Sequence, residues 1–216
     1  VNMQNTDIMK RLRGPKGTSV RVKVLRRGVK DLIEFKIVRD KIPIFSLDAA
    51  YMVDDEIGYI KINRFSSTTF AEYKTAFEKL KKKGMKSLIL DLQDNGGGYM
   101  SAAIELADDF LSGGKMLVYT EGANQLKETH ESTAVGDFES GNLVILVNES
   151  SASASEIVSG AIQDWDRGVI VGRRTFAKGL VQKPVALPDG AQIRLTVARY
   201  YTPTGRCIQR PYTENL

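Results

Sequence analysis

The chain has 216 residues, 42% hydrophobic and 26% charged, a balance that supports one substantial core plus a smaller appendage and excludes a disordered chain. Its longest apolar stretches, such as Leu143 to Val147, fall far short of the ~20 residues of a membrane-spanning helix, and a single cysteine, Cys207, leaves neither an intrachain disulfide nor a cysteine-based metal site. Basic residues exceed acidic ones by five, and the excess sits in residues 1–41, where twelve Lys/Arg face four Asp/Glu; because Arg21, Lys23, Glu34 and Lys36 alternate with apolar residues, they read as the solvated face of strands and call for no nucleic acid.

In chain order, the polar opening Val1 to Asn5 has none of the features of a signal peptide, so the expectation is a cytosolic chain or one whose leader has been removed. Ile8 to Arg13 reads as the end of a helix stopped by Gly14-Pro15, and Val20, Val22, Val24 and Ile33, Phe35, Ile37 as two short strands about a turn at Arg27-Gly28. Residues 41–57, interrupted by Pro43, are expected to be a connection, and the one domain boundary lies there.

From Gly58 the pattern alternates strand and helix. Tyr59 to Ile62 is a strand; Thr69 with Glu72 three residues on reads as a helix cap, and Phe70, Tyr73, Phe77 and Leu80 form that helix's buried stripe. Lys81 to Gly84 ends it, and Ser87 to Leu92 reads as a buried strand. A glycine-rich turn precedes a helix carrying Met100, Ala103, Ile104, Ala107 and Leu111, then come strands at Met116 to Tyr119 and Leu143 to Val147, with a polar loop expected over residues 121–140. A helix through Ile157, Ala161 and Ile162, a strand Val169 to Val171 and a longer strand Gln192 to Tyr201 complete an α/β pattern over residues 58–216.

Three segments carry residue types poorly suited to packing alone. In Asp91-Leu92-Gln93-Asp94-Asn95-Gly96-Gly97-Gly98, consecutive glycines between strand and helix let backbone N–H groups face an open site; the Gly-Lys-Ser/Thr ending of a nucleotide loop is missing, and a tight turn is the plainer explanation. Ser150 to Glu156 places several serines at the mouth of a helix, whose free N–H groups stabilise a developing oxyanion; helix capping explains them as well. Arg174 to Gln182 holds Lys178 among Phe176, Leu180 and Val181. A lysine serves as base only as the neutral amine, which burial or nearby positive charge favours, and the alternative is a packed stem with its ammonium in water. His130, the only histidine, lies in the expected polar loop, where nothing fixes it for a triad. Asp91 and Asp94 leave a weak carboxylate-only magnesium reading.

Taken together, these segments resemble the C-terminal processing (tail-specific) peptidases. The resemblance runs through Gly58 to Ile62, the Asp91 to Gly98 turn, Ser151-Ala152-Ser153-Ala154-Ser155-Glu156, Thr175-Phe176 with Lys178-Gly179 and Gln182, and Tyr201-Thr202-Pro203-Thr204-Gly205-Arg206. It implies a crotonase-like α/β fold and a Ser-Lys dyad hydrolysing peptide bonds near protein C-termini, with Ser153 as nucleophile and Lys178, twenty-five residues downstream, as general base. It implies that Gln182 holds the lysine amine, and that Ala154 and either Gly97 or Gly98 donate the oxyanion-hole N–H groups. No cofactor or metal is implied. Ala177 stands where glycine is common in the family, and Gln93 where arginine is common.

Residues 1–40 look like the C-terminal part of a PDZ domain, the β-augmenting module that receives substrate tails. The partners implied are proteins or peptides with accessible C-termini, with an oligomer or adaptor left open, and the location implied is the bacterial periplasm or cell envelope. Two rival readings are a noncatalytic tail-binding module and a crotonase-like enzyme acting on acyl-thioesters; the second leaves the serine and lysine together unexplained.

Overall fold

The computed structural model describes residues 3–41 and 44–211, and the chain divides into two compact units, Val1–Ile44 and Phe45–Leu216. In the first, helix α1 (Asn5–Leu12) precedes an antiparallel hairpin of β1 (Ser19–Val24) and β2 (Ile33–Val38), in register Val22↔Phe35. The Arg39 guanidinium ties the helix end to the hairpin, donating to Leu12 O (2.7 Å), Arg11 O (3.2 Å) and Thr18 Oγ1 (2.9 Å). No described residue of this unit is buried, so hydrogen bonds rather than a core of its own hold these three elements.

The second unit contains β3 (Leu47–Met52), β4 (Ile57–Ile62), α2 (Thr69–Lys82), β5 (Ser87–Asp91), α3 (Met100–Asp108), β6 (Met116–Gly122), β7 (Gln125–Glu131), β8 (Asn142–Val147), α4 (Ala154–Asp164), β9 (Val169–Gly172), β10 (Leu180–Ala186) and β11 (Gln192–Tyr201). One sheet runs β3-β4-β5-β8-β9, parallel except for β3; a second, antiparallel, runs β10-β11-β6-β7. The alternation read from Gly58 onward is therefore the mixed α/β architecture observed.

The central strands are apolar because helices and neighbouring strands remove them from water. Leu88 pairs with Leu143 and Leu90 with Ile145, all at 2% exposure or less. The α2 stripe delivers Tyr73 and Phe77 into an aromatic cluster with Phe110 and Phe138, edge meeting face in Tyr73–Phe110 at 5.9 Å and Phe77–Phe138 at 5.5 Å, the arrangement that aromatic quadrupoles favour. Lys79, Lys81 and Lys82 in the last turn of α2 complement its dipole.

Three segments depart from expectation. Residues 41–57 are not simply a connection, since 47–52 form β3, the antiparallel edge strand; Pro43 and residue 42 lie outside the described residues. The expected polar loop 121–140 contains β7, exposed along most of its length, so it carries no hydrophobic alternation to read. Residues 180–186 form β10, with Pro184 tolerated because β10 is an edge strand. Glu72, expected to close a capping box with Thr69, instead accepts the Ser46 N–H (2.8 Å), the Leu47 N–H (3.3 Å) and the Thr68 hydroxyl (2.7 Å), joining β3 to the start of α2.

Candidate active site

Strands β5, β8 and β9 are consecutive neighbours in a parallel sheet, so the loops leaving their C-terminal ends emerge side by side. Those loops are the three chemistry-bearing segments: the glycine turn after β5, the serine run after β8 and the Lys178 segment after β9. Topology thus assembles what lies up to about ninety residues apart in the chain.

Ser153 sits immediately before α4 with φ 56° and ψ −110°. A non-glycine residue held at positive φ stores strain and persists where the surroundings over-determine it. Here the surroundings are explicit. The Ala152 N–H donates to Asn95 O (3.0 Å), the Ser155 hydroxyl to the same carbonyl (2.9 Å), and the Ser151 hydroxyl to Leu92 O (2.7 Å). The Ser153 N–H donates to Glu156 Oε2 at 2.8 Å.

Glu156 proves to be the hub of the site. Its carboxylate, on a residue only 5% exposed, accepts four bonds: Ser153 N–H, Lys178 N–H (2.9 Å), Ala177 N–H (2.6 Å) and the Thr175 hydroxyl (2.7 Å). One carboxylate therefore fixes the backbones of both Ser153 and Lys178. The sequence signal was the Ser-x-x-Glu spacing, which marks a helix start without revealing a second chain segment on the same carboxylate.

Asn95, fully buried, holds the glycine turn, donating its amide to Ile62 O (2.9 Å) and accepting the Gly97 N–H on Oδ1 (2.9 Å). That occupies Gly97. Neither the Gly98 N–H nor the Ala154 N–H meets a backbone or side-chain acceptor among the described residues; Ala154 opens α4, where the first N–H groups have no intrahelical partner. Both glycines have to be glycine. A Cβ on Gly97 would sit 2.6 Å from Ala152 O, and one on Gly98 would sit 1.9 Å from Phe65 O, at φ 94° and 150° respectively.

Ser153, Lys178, Gln182 and Gly98 line one open cleft of about 420 Å³. Within it Lys178 is exposed; it precedes the edge strand β10, and Phe176 turns outward at 59% exposure. Among the described residues no direct hydrogen bond joins Lys178 Nζ to Ser153 Oγ, and the Gln182 amide donates to Thr196 Oγ1 (3.4 Å) across the β10–β11 pair. Gly97 and Ala154 do not line the cleft; a Cβ on Gly97 would meet Ser153 Cβ at 2.8 Å and Ala154 N at 3.0 Å.

The rival residues are elsewhere. His130 lies on β7 opposite Val118, with Glu128 at 3.7 Å, and takes no part in the cleft. Asp91 is bound by the Tyr59 hydroxyl (2.5 Å) and Lys61 Nζ (3.2 Å), and Asp94 Oδ1 accepts the Asn148 amide (2.9 Å), so the two aspartates serve separate protein contacts. Burial, with the Asp91 carboxylate beside it, pushes the Tyr59 phenol well above its ordinary value.

Chemically, the cleft offers a hydroxyl, an amine and the free Gly98 N–H, with the free N–H of buried Ala154 next in the chain to Ser153, a set suited to acyl transfer. Residues 56–215 match the family described as Peptidase family S41. The chain is 38% identical over 203 residues to the carboxy-terminal-processing protease of Bartonella bacilliformis, covering 92% of this chain and 46% of that one. It is 39% identical over 206 residues to the carboxyl-terminal-processing protease of Synechocystis sp., covering 93% and 47%. Among solved structures it resembles the photosystem II D1 C-terminal processing protease, with a TM-score of 0.69, 31% identity, and coverage of 94% of this chain and 56% of that one. The chain thus spans about half the length of the curated relatives it matches.

Proposed function

The chain belongs to peptidase family S41, and on that premise we propose that it is the catalytic part of a serine endopeptidase that cuts near the C-termini of protein substrates through Ser153 and Lys178. The observation that carries the reading is the Glu156 bracket, which holds a strained serine and a lysine on one cleft beside unused N–H donors.

In this mechanism the Lys178 amine takes the Ser153 proton as Oγ attacks the scissile carbonyl. The oxyanion of the tetrahedral intermediate receives hydrogen bonds from the Gly98 and Ala154 N–H groups, Gly97 being committed to Asn95. Collapse passes the lysine proton to the leaving amine and leaves an ester on Ser153. Water, deprotonated by the same amine, then attacks the ester, and the proton returns to Ser153 Oγ as the new C-terminus leaves. Gln182, which lines the same cleft, is assigned to hold the Lys178 amine through its carbonyl oxygen.

Residues 1–40 are read as the last helix and hairpin of a PDZ-like module, in keeping with α1, β1 and β2, and the substrates as proteins or peptides with accessible C-termini. An exported location, the bacterial periplasm or envelope, accompanies this reading; none of the described helices is long and apolar enough to cross a membrane. The test is degradation of an unstructured protein with an apolar C-terminus, followed by gel and mass spectrometry. Cleavage that disappears in Ser153→Ala and in Lys178→Ala supports the dyad, whereas unchanged cleavage by either folded variant rejects it.

A further inference from the structure

We propose that Arg194 makes the catalytic cleft a receptor for a substrate carboxylate, an inference that rests on the peptidase reading of that cleft. Arg194 lies on β11 directly opposite Pro184 of β10, and both line the cleft that holds Ser153 and Lys178. The rest of the lining includes the apolar or aromatic side chains of Phe65, Tyr99, Leu180 and Tyr200, and no Asp or Glu. The cleft is therefore an apolar trough with cationic side chains and no carboxylate to neutralise them.

Other arginines of the second unit show what structural use of this side chain looks like here. Arg167 donates to three backbone carbonyls, Arg173 pairs with Glu149, and Arg206 pairs with Asp164. Arg194 is exposed and, like Arg64, Arg174, Arg199 and Arg210, forms no ion pair among the described residues, but it alone of these five lines the cleft. A guanidinium is a planar fork that matches a carboxylate through paired N–H donors. Mounted on a hydrogen-bonded strand beside the nucleophile, it selects substrates presenting a carboxylate near the scissile bond along with an apolar residue for the trough. That carboxylate is either an acidic side chain or the free C-terminus of the substrate.

The test uses short apolar peptides in two matched pairs, one differing only in a C-terminal acid against amide, the other in an internal Glu against Gln. Hydrolysis by the full chain and by Arg194→Gln and Arg194→Lys is measured, and binding of the same peptides to Ser153→Ala and to Ser153→Ala carrying Arg194→Gln. The expectation is a three- to tenfold preference, as an order of magnitude for a partly exposed charge pair, for the charged member of at least one pair. That preference should fall with added salt, vanish in Arg194→Gln and survive in part in Arg194→Lys. Which pair discriminates identifies the source of the carboxylate. Hydrolysis without discrimination, or discrimination that survives Arg194→Gln, overturns the Arg194 assignment. Discrimination in binding with no hydrolysis by the parent chain upholds Arg194 and overturns the peptidase reading; absence of both binding and hydrolysis overturns both.

Discussion

Replacing Glu156 with Gln removes one acceptor oxygen from a nearly isosteric side chain and puts an NH2 group in its place. Oε2 accepts the N–H groups of Ser153 and Lys178, and Oε1 accepts those of Ala177 and the Thr175 hydroxyl. Whichever way the amide turns, two donors lose their acceptor. If the NH2 takes the Oε2 position, the two lost bonds are the ones that anchor the proposed nucleophile and base. At about 1–3 kcal/mol for each buried donor left unsatisfied, with relief from water in the adjoining cavity of about 430 Å³ that Glu156 and Thr175 line, the net loss of stability is about 2–4 kcal/mol. Displacement of the reacting groups by roughly an ångström costs on the order of a hundredfold in rate. The assay is steady-state hydrolysis of a fluorogenic peptide together with urea unfolding of the same preparation. A fall in kcat of about that size, with KM little changed in a protein still folded at the assay temperature, is expected. A folded Glu156→Gln protein within about threefold of parental kcat would refute the bracket's role in positioning.

Ala177 sits at φ 70°, where a side chain is strained, so Ala177→Gly should raise stability by up to about 1 kcal/mol and Ala177→Val should lower it; thermal melts in the opposite order would contradict this. Gly98→Ala forces a Cβ onto Phe65 O, whereas a Cβ on Gly96 meets nothing within 4 Å, so the first should lose most activity and the second little, compared by kcat/KM. Burial opposes ionisation of Asp164, but hydrogen bonds that include those from Thr204 and Arg206 outweigh it and hold its pKa below the usual carboxylate range. A depressed native pKa adds stability above the unfolded-state value and loses it as pH falls through the native value. Asp164→Asn should therefore be less stable than the parent at neutral pH, with the gap closing in urea titrations below about pH 4; a gap independent of pH would count against the charged pair.

What the sequence disclosed follows from where water is excluded. Leu88, Leu90, Leu143 and Ile145 occupy central strands and announce them as apolar runs, and the α2 stripe is legible because one face alone is buried. Strand β7 and most of β10 are exposed along both faces, so no pattern distinguishes them from loop. β3 is hidden for a related reason, its burial alternating only weakly around Asp48. At the candidate site, the resemblance pointed to Ser153 and Lys178, and both line one cleft. Nothing in the sequence separates Gly97 from Gly98, because what distinguishes their N–H groups is the side-chain oxygen of Asn95, which accepts from Gly97. Nor could the exposure of Lys178 be read from its apolar neighbours, since the edge position of β10 decides it.

The most direct measurement is labelling of the chain with a fluorophosphonate that reacts with activated serine hydroxyls, followed by peptide mapping. The site of attachment is the readout. The mechanism requires the label on Ser153, formed slowly or not at all in Lys178→Ala. A label on another serine, or equal labelling of Ser153 with and without the lysine, would contradict it.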